Sequence, residues 1–415
     1  MSTNAGSKRI TVVTAGHVSA CPRMLKAADA LTAVGYRVRV VSVNHTPWMT
    51  DADAVVTASR CWKSSVVDYA RSTAPSLWRK ARARFTLMRY AATSIGPSRV
   101  PMSVAVRAYS RVHAELVRAA TAEPADLIYG GSTGALAAVV ESAARLGVPY
   151  AIDFEDFHSG EASGDGSQLQ NALAERVERH VIGGATFVTA ASPMIAETYA
   201  DQYGVRPVVI HNTFSIAPGR ERERLDGPLR VYWFSQTLGP KRGLEDVVRA
   251  AGHARVPVEL HLRARPIAEY LDGLRRLQSA VAPQLTIVVH EPASPDAMVP
   301  LAQPYDAGLA CEEPQPLNRQ LCLTNKIFTY LAAGVPMFLS RTHAQACLER
   351  SLGEAAFGYD CGHVEGLATA MRRLADNPEL RRRSRAGARR AADQRWHWEH
   401  PEDRGALLAA VAAAL

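Results

Sequence analysis

The chain has 415 residues, which is too long for one ordinary hydrophobic core, so we expect two domains. Apolar residues make up 47% and charged residues 21%, a globular composition that excludes bulk disorder. The net charge is +8, and the six cysteines lack the CxxC and Cys/His spacings of zinc sites, so we expect free thiols and no metal site.

The first half of the chain alternates strand-like and helix-like segments. Residues 10–14 form an apolar run of strand length, residues 22–34 carry apolar side chains at helical spacing, and residues 37–42 form a second strand. This βαβ opening predicts a parallel sheet. Further strand candidates are residues 127–129, 150–152, 187–189 and 208–210.

Residues 69–114 contain no Asp or Glu, and their basic residues account for the whole positive surplus. The basic residues are Arg71, Arg79, Lys80, Arg82, Arg84, Arg89, Arg99, Arg107 and Arg111. Apolar residues are interleaved with them, as in a basic amphipathic helix on an anionic membrane. A solvated face, or a helix beside a site for anionic substrates, would show the same pattern. We expect no nucleic-acid partner, because no recognition motif accompanies the charge.

A turn-rich, highly charged segment at residues 215–228 interrupts the alternation and is predicted to be a linker. A helix begins again at Leu244, and the chain ends in an Ala-rich helical segment at residues 401–415. The strand candidates of the second half are residues 231–234, 258–262, 285–289, 307–309 and 336–339.

The predicted fold class is α/β, with two Rossmann-like doubly wound domains facing a central cleft. The predicted boundaries are 1–214 for the N-terminal domain, 215–228 for the linker, 229–398 for the C-terminal domain and 399–415 for a crossing helix. Open α/β sheets bind ligands at the carboxyl ends of their strands, so the functional side chains are expected on the loops that follow them.

The clearest local signal lies at residues 324–336, which read TNKIFTYLAAGVP. The polar pair Thr324 and Asn325 precedes Lys326, and a helix, a Gly and a Pro then lead into a strand. Backbone N–H groups at the start of that helix would attract an anion, and Lys326 would add a positive charge. A plain helix–turn–strand unit is the competing interpretation.

This segment closely resembles the donor-site segment of family 4 glycosyltransferases, in which a short polar stretch, a Lys, a helix and AAG-x-P recur. Residues 234–246, which read FSQTLGPKRGLED, resemble the first strand and Gly-containing loop of that family's C-terminal domain. The resemblance implies a GT-B enzyme whose C-terminal domain binds a nucleotide-sugar donor, a UDP- or GDP-sugar, and whose N-terminal domain binds the acceptor. It also implies transfer with retention and no required cofactor.

The resemblance also implies individual donor-site residues. Lys241 and Arg242 match the basic region that clamps the donor diphosphate, and together with Lys326 they are the predicted catalytic cations. An earlier Arg of the family is absent, and Gln236 or Thr237 stands near its place. The predicted donor-binding residues are Gly16, Gln236, Thr237, Gly239, Glu312, Glu313, Asn318, Thr324, Asn325 and Thr329.

Two positions of this donor segment depart from the family pattern. Thr329 stands where a ribose-binding Glu is common, and Leu321 stands where a paired Glu is common. A hydroxyl can bond to a ribose, although a carboxylate accepts two such bonds. Glu312, Glu313 and Asn318 are expected to supply sugar contacts instead, which leaves the identity of the donor sugar open.

A second departure lies at residues 153–158, which read DFEDFH. Many relatives place a His two residues after an Asp at this strand end, but here Glu155 stands there and His158 follows three residues later. We expect Glu155 and His158 to act as acid or base near the acceptor. Asp153 and Asp156 are expected to bind the acceptor, with a metal-binding carboxylate group or a structural loop as alternatives.

The loop after the first strand supplies the remaining predicted contacts. Gly16 would let the backbone approach the donor phosphate or the acceptor, because it has no side chain. His17 and Arg23 lie just beyond it, where an acceptor is expected to bind.

The sequence therefore predicts a retaining glycosyltransferase that acts on a small molecule or natural-product scaffold, through a hydroxyl or a thiol. The alternatives are a membrane-associated transferase for a lipid-linked acceptor and a catalytically silent donor-binding partner. No apolar segment suited to a secretory signal follows the polar N-terminus, so the protein is expected to be cytoplasmic, or peripheral to the inner face of the membrane through residues 69–114.

Overall fold

The structure, a computed structural model, describes residues 8–218 and 227–415, and most of the predicted linker, residues 219–226, lies outside the described residues. The chain divides into two compact units. The first unit comprises Met1–His211, Pro316–Asn318 and Pro401–Leu415. The second unit comprises Asn212–Gln315 and Arg319–His400.

The first unit is built on a seven-stranded parallel sheet in the order β3-β2-β1-β4-β5-β6-β7. Its strands are β1 Arg9–Thr14, β2 Arg37–Asn44, β3 Lys63–Asp68, β4 Leu127–Gly131, β5 Tyr150–Phe154, β6 Phe187–Ala190 and β7 Val208–Val209. Its helices are α1 Pro22–Ala33, α2 Thr50–Ala58, α3 Pro75–Ile95, α4 Met102–Tyr109, α5 His113–Ala120, α6 Leu136–Leu146, α7 Ser167–Ile182, α8 Pro193–Tyr203 and the terminal α17 Ala406–Ala414.

The second unit is built on a six-stranded parallel sheet in the order β10-β9-β8-β11-β12-β13. Its strands are β8 Leu229–Leu238, β9 Val258–Pro266, β10 Leu285–His290, β11 Ala307–Ala310, β12 Met337–Ser340 and β13 Ala356–Tyr359. The helices from β8 onward are α9 Leu244–Ala254, α10 Ala268–Val281, α11 Met298–Ala302, α12 Asn318–Leu321, α13 Asn325–Ala332, α14 His343–Leu352, α15 Val364–Asp376 and α16 Pro378–Gln394.

The central strands are apolar because helices cover both faces of a parallel sheet. Val12 and Ile152 of the first sheet are fully buried. In the second unit, Trp233 of β8 belongs to one buried cluster with Val248 of α9 and Met371 of α15. This burial on two faces explains why these strands stand out in the sequence as short continuous apolar runs.

The predicted parallel α/β architecture is confirmed, and the predicted strands lie within observed ones or overlap them. Two strands were missed, Lys63–Asp68 and Ala356–Tyr359, and both lie at a sheet edge. The first carries exposed polar residues and the second is only four residues long. Edge strands need less apolar surface than central ones, so hydrophobic pattern alone does not reveal them.

Both sheets have the strand order of a Rossmann fold, in which the chain reverses its winding direction once. The reversal lies between β1 and β4 in the first sheet and between β8 and β11 in the second. Ligands of open α/β sheets bind at the carboxyl ends of the strands beside such a switch point. The loops after these four strands are therefore the primary candidates for function.

Candidate functional site

In the second unit, the loop after β8 is held against the strand across the switch point. Gly243 has φ +69° and is the N-cap of α9, and a Cβ there would lie 3.5 Å from the Cβ of Cys311. The Cys311 thiol lies 3.3 Å from the Arg242 carbonyl oxygen, to which it donates. Lys241 adopts φ +62°, which is uncommon for a residue with a side chain. The loop thus has a defined path that presents Lys241 exposed and Arg242 partly exposed.

Gln236 and Thr237 lie in an irregular part of β8. The pairing of β8 with β9 shifts register between Phe234 and Thr237, and Gln236 is exposed. Gly239 follows the strand, and a Cβ there would come within 2.9 Å of the Ile267 side chain. This glycine is therefore already explained by packing, whereas Gln236 and Thr237 stay available for a ligand.

Lys326 is held in a buried ion-pair group at the start of α13. Its Nζ lies 3.2 Å from Glu312 Oε1 and 5.7 Å from the ring centre of Trp233. The other carboxylate oxygen of Glu312 pairs with Arg319. We call these four residues the Glu312 group. Two cations share one carboxylate, so the group carries a net positive charge beside the switch point of the second sheet.

The polar pair that precedes Lys326 lies at the helix start, as predicted. Thr324 is the N-cap of α13, and its hydroxyl is buried without a hydrogen bond to any described residue. Asn325 is the first helical residue and is partly exposed. A buried hydroxyl that lacks a partner is unusual, and a ligand at the helix start would supply one.

Thr329 is not presented to a ligand in this geometry. It is 1% exposed, and its hydroxyl donates to the Asn325 carbonyl oxygen at 2.9 Å, one helical turn earlier. Thr and Ser often satisfy a mid-helix hydroxyl in this way. The predicted ribose contact of Thr329 therefore gains no support from the structure.

Asn318 was grouped with the donor residues, and the structure places it elsewhere. Its Nδ2 donates to Asp156 Oδ1 at 2.7 Å, and its Oδ1 accepts from the Phe157 backbone N–H at 2.8 Å. Asn318 belongs to the first unit, whereas Glu312 and the partly exposed Glu313 belong to the second. The predicted donor contact of Asn318 therefore gains no support from its hydrogen bonds.

In the first unit, the side chain of His17 is fully engaged with its neighbours. Its Nδ1 lies 2.7 Å from Asp53 Oδ2, and its Nε2 accepts the backbone N–H groups of His45 and Thr46. Burial opposes ionisation of Asp53, but hydrogen bonds from His17 and Ser19 outweigh it and hold the Asp53 pKa below its usual range. His17 thus anchors the loop after β1, while the neighbouring Gly16 has open space around its Cα.

Arg23 and Asp153 form a buried pair instead of facing open solvent. Arg23 donates to both carboxylate oxygens of Asp153, at 2.8 and 2.5 Å, and to the Ile210 carbonyl oxygen at 2.5 Å. Thr189 also donates to Asp153. With exposures of 6% and 0%, Arg23 and Asp153 fix the end of β5, and their predicted contact with the acceptor gains no support from the structure.

The loop after β5 carries two carboxyl groups with perturbed pKa values. Burial and the neighbouring Asp156 raise the pKa of Glu155 to about 7, against the opposing charge of Arg23. Burial and the charge of Glu161 likewise raise the pKa of Asp156. A carboxyl group that titrates near neutral pH is suited to accept or donate a proton during a reaction.

His158 lies in a polar group at the ends of β4 and β5. Its Nδ1 is 3.0 Å from Glu161 Oε2 and 3.2 Å from the hydroxyl of Thr133. Burial disfavours the imidazolium, but the Glu161 carboxylate raises the pKa of His158 to about 9. Its Nε2 is buried and bonds to none of the described residues. His158 is therefore a fixed positive charge near neutral pH and unsuited to act as a base.

Several residues of these groups were not foreseen from the sequence. Thr133 is the second residue after β4, one of the switch-point strands, so a search of every strand end would have found it. Glu161 follows His158 by three residues, a spacing at which two side chains often pair. Trp233 and Arg319 are brought next to Lys326 and Glu312 by the fold, and no local sequence pattern indicated them.

Within the described ranges, no three His, Cys, Asp or Glu side chains are arranged to hold a metal ion. No helix in the part of the chain that the structure describes is long and apolar enough to span a bilayer. The six cysteines are free thiols.

Residues 21–213 match the family model described as a glycosyl transferase 4-like domain. The chain therefore carries a glycosyl transferase 4-like domain over these residues, and its fold is that of GT-B glycosyltransferases. The matched residues span nearly the whole N-terminal Rossmann-like domain, including Arg23, Glu155 and His158. The search of curated proteins found no match.

Solved structures of the same fold cover almost the entire chain. HepE of Anabaena in complex with UDP and glucose is 15% identical, has a TM-score of 0.70, and matches over 98% of this chain and 100% of its own. TarM of S. aureus, in a complex that includes UDP, is 8% identical with a TM-score of 0.67, over 98% and 99%. UGT2 of Phytolacca americana, complexed with UDP-2fluoro-glucose and pterostilbene, is 14% identical with a TM-score of 0.55, over 98% and 99%. At these identities the likeness shows the fold.

Proposed function

We propose that this glycosyltransferase moves a sugar, with retention, from a nucleoside diphosphate sugar to a small-molecule acceptor. The observation that carries the proposal is the Glu312 group, which fixes the buried Lys326 ammonium at the start of α13. Cys311 connects this group to the loop of Lys241 and Arg242. UDP is the favoured nucleotide, because the similar folds of HepE and TarM hold UDP, and GDP is the alternative.

The main requirement of this reaction is to stabilise the negative charge that develops on the leaving diphosphate. As the bond from the sugar to the diphosphate breaks, negative charge grows on the leaving oxygens. Cations and helix N–H groups aimed at that charge stabilise the transition state more than the ground state. Lys326, Arg242 and Lys241 are the cations we assign to this role, with Thr324 and Asn325 at the helix start as further donors.

The acceptor group is placed by the first unit in this proposal. Glu155 takes up the proton of the attacking group, because its raised pKa makes it a usable base near neutral pH. The imidazolium of His158 supplies a fixed positive charge close by. A hydroxyl is the expected nucleophile, and a thiol would ionise more easily and need less help from Glu155.

Glu155→Gln is expected to lower kcat/KM about 10²-fold and to remove the acidic limb of the pH profile. In the unmodified enzyme, Glu155 becomes protonated as the pH falls through about 7, so the rate should fall with it. The rate can be followed as nucleoside diphosphate release, with water as acceptor. Glu175→Gln, at an exposed carboxylate of α7, is the matched control. An unchanged acidic limb in Glu155→Gln would assign proton uptake to the leaving phosphate alone.

The donor site is tested first by thermal unfolding with UDP, GDP, dTDP or ADP and no added metal. A ligand at 100 times its Kd stabilises the folded form by about 2.7 kcal/mol, which corresponds to a rise of about 5–10 °C for a domain of this size. We expect one nucleotide to produce this rise. The double variant Lys241→Ala/Arg242→Ala should lose most of it, and Arg249→Ala on the exposed side of α9 should keep it.

A response to none of the four nucleotides would contradict the proposal. A response without any nucleoside diphosphate release would instead identify a catalytically silent donor-binding partner.

A lipid-linked acceptor is the second candidate for the acceptor, because residues 69–114 carry nine basic and no acidic residues.

A further inference from the structure

Residues 69–114, the segment without Asp or Glu, fold largely into α3 and α4 of the first unit. Its longest element is α3, Pro75–Ile95, which has two different sides. One side packs on the unit: Ala81 and Ala92 are fully buried, Arg84 pairs with Glu115 at 2.7 Å, and Arg89 donates to Gln170 at 2.8 Å. Since these two arginines are used internally, the basic residues on the other side need a separate explanation.

The other side of α3 forms a shallow surface depression, which we call the α3 outer face. It is lined by Trp78, Arg79, Arg82, Ala83, Thr86, Leu87 and Tyr90. These residues recur at three- and four-residue spacing, so they share one face of the helix. The depression is therefore made by a single helix surface and is not a cleft between elements.

Large apolar side chains are exposed on this face. Leu87 is 59% exposed and Tyr90 is 72% exposed. Trp78 is flanked by the guanidinium groups of Arg71 and Arg82, at 5.3 and 5.0 Å from its ring centre. Basic residues next to a partly exposed Trp and to exposed Tyr and Leu are typical of helices that lie in a membrane interface, with charges at the head groups and apolar atoms just beneath them.

We infer that the α3 outer face binds the surface of an anionic phospholipid membrane. Charge complementarity favours this partner, because Arg71, Arg79 and Arg82 lie on or beside this face and residues 69–114 contain no Asp or Glu to repel lipid phosphates. Leu87 and Tyr90 add apolar contact with the lipid to the attraction between charges. Membrane binding is independent of the sugar-transfer proposal and holds for a soluble or a lipid-linked acceptor.

The test is sedimentation of the full-length protein with vesicles of phosphatidylcholine alone or with added phosphatidylglycerol. We expect binding only to the anionic vesicles, weakened by salt. Arg79→Gln/Arg82→Gln should bind about 30-fold more weakly, since each basic residue near an anionic surface contributes about a factor of five. Leu87→Ser/Tyr90→Ser should weaken the part of the binding that persists at high salt.

The matched control is Arg373→Gln/Arg390→Gln, which removes two exposed basic residues from the second unit and should bind like the unmodified protein. All variants should keep the thermal midpoint and the nucleotide response, because the substituted side chains are exposed. Equal binding of the control and Arg79→Gln/Arg82→Gln would overturn the inference, as would binding to neutral vesicles as strong as to anionic ones. Preference for single-stranded RNA over anionic vesicles would overturn it in favour of a nucleic acid.

Discussion

Replacing Lys326 with methionine is expected to lower the turnover number about 10²–10³-fold, the usual effect of deleting one group that stabilises a developing negative charge. Methionine retains a long unbranched side chain next to Trp233 but removes the ammonium that faces Glu312. Because the charge on the diphosphate grows as the sugar leaves, the loss should appear mainly in kcat. The measurement is nucleoside diphosphate release under saturating sugar nucleotide.

Two comparisons separate this effect from damage to the fold. Glu312 retains Arg319 as a partner in Lys326→Met, so the thermal midpoint should change little. Arg249→Met, which removes a cation from the exposed side of α9, should leave turnover unchanged. Full turnover in Lys326→Met would exclude Lys326 from the machinery and would leave Lys241 and Arg242 as the assigned cations.

The position of Lys326 at a helix start was predictable because the residues that define that start are consecutive in sequence. A polar pair, the Lys and an amphipathic helix are consecutive in sequence, so the helix start and its charge could be read directly. Its partners were not predictable in the same way. Glu312 lies in the loop after another strand and Trp233 lies in β8, and only the strand order of the sheet brings them to Lys326.

The residues expected around the acceptor show a different limit of prediction from the sequence. His17, Arg23 and Asp153 are polar residues in or near the loops after strands, where ligand contacts are common. In the structure, however, Arg23 pairs with Asp153, and His17 pairs with Asp53. Burying a polar group without a partner costs free energy, so a fold supplies partners for most of them. A sequence shows that such residues are near a strand end, but it does not show whether they are already paired.

Replacing Asp153 with asparagine is expected to destabilise the first unit by about 3–5 kcal/mol, since it leaves the buried Arg23 guanidinium without its counter-charge. The pair has exposures of only 6% and 0%, so water cannot replace the lost carboxylate. For a domain of this size, a lowering of the unfolding midpoint by about 10 °C should follow, seen by calorimetry as a shift of one transition. Asp360→Asn, which breaks the exposed pair with Arg341, should cost less than about 1 kcal/mol.

The double variant Arg23→Met/Asp153→Asn decides whether the unpaired charge is the cause. Removing the guanidinium as well removes the buried charge, so the double variant should be more stable than Asp153→Asn alone. Because Arg23 also donates to the Ile210 carbonyl oxygen, recovery should be incomplete. Activity should follow the same order, since the pair fixes the end of β5 two residues before Glu155. A double variant no more stable than Asp153→Asn would show that the pair acts through packing and not through charge.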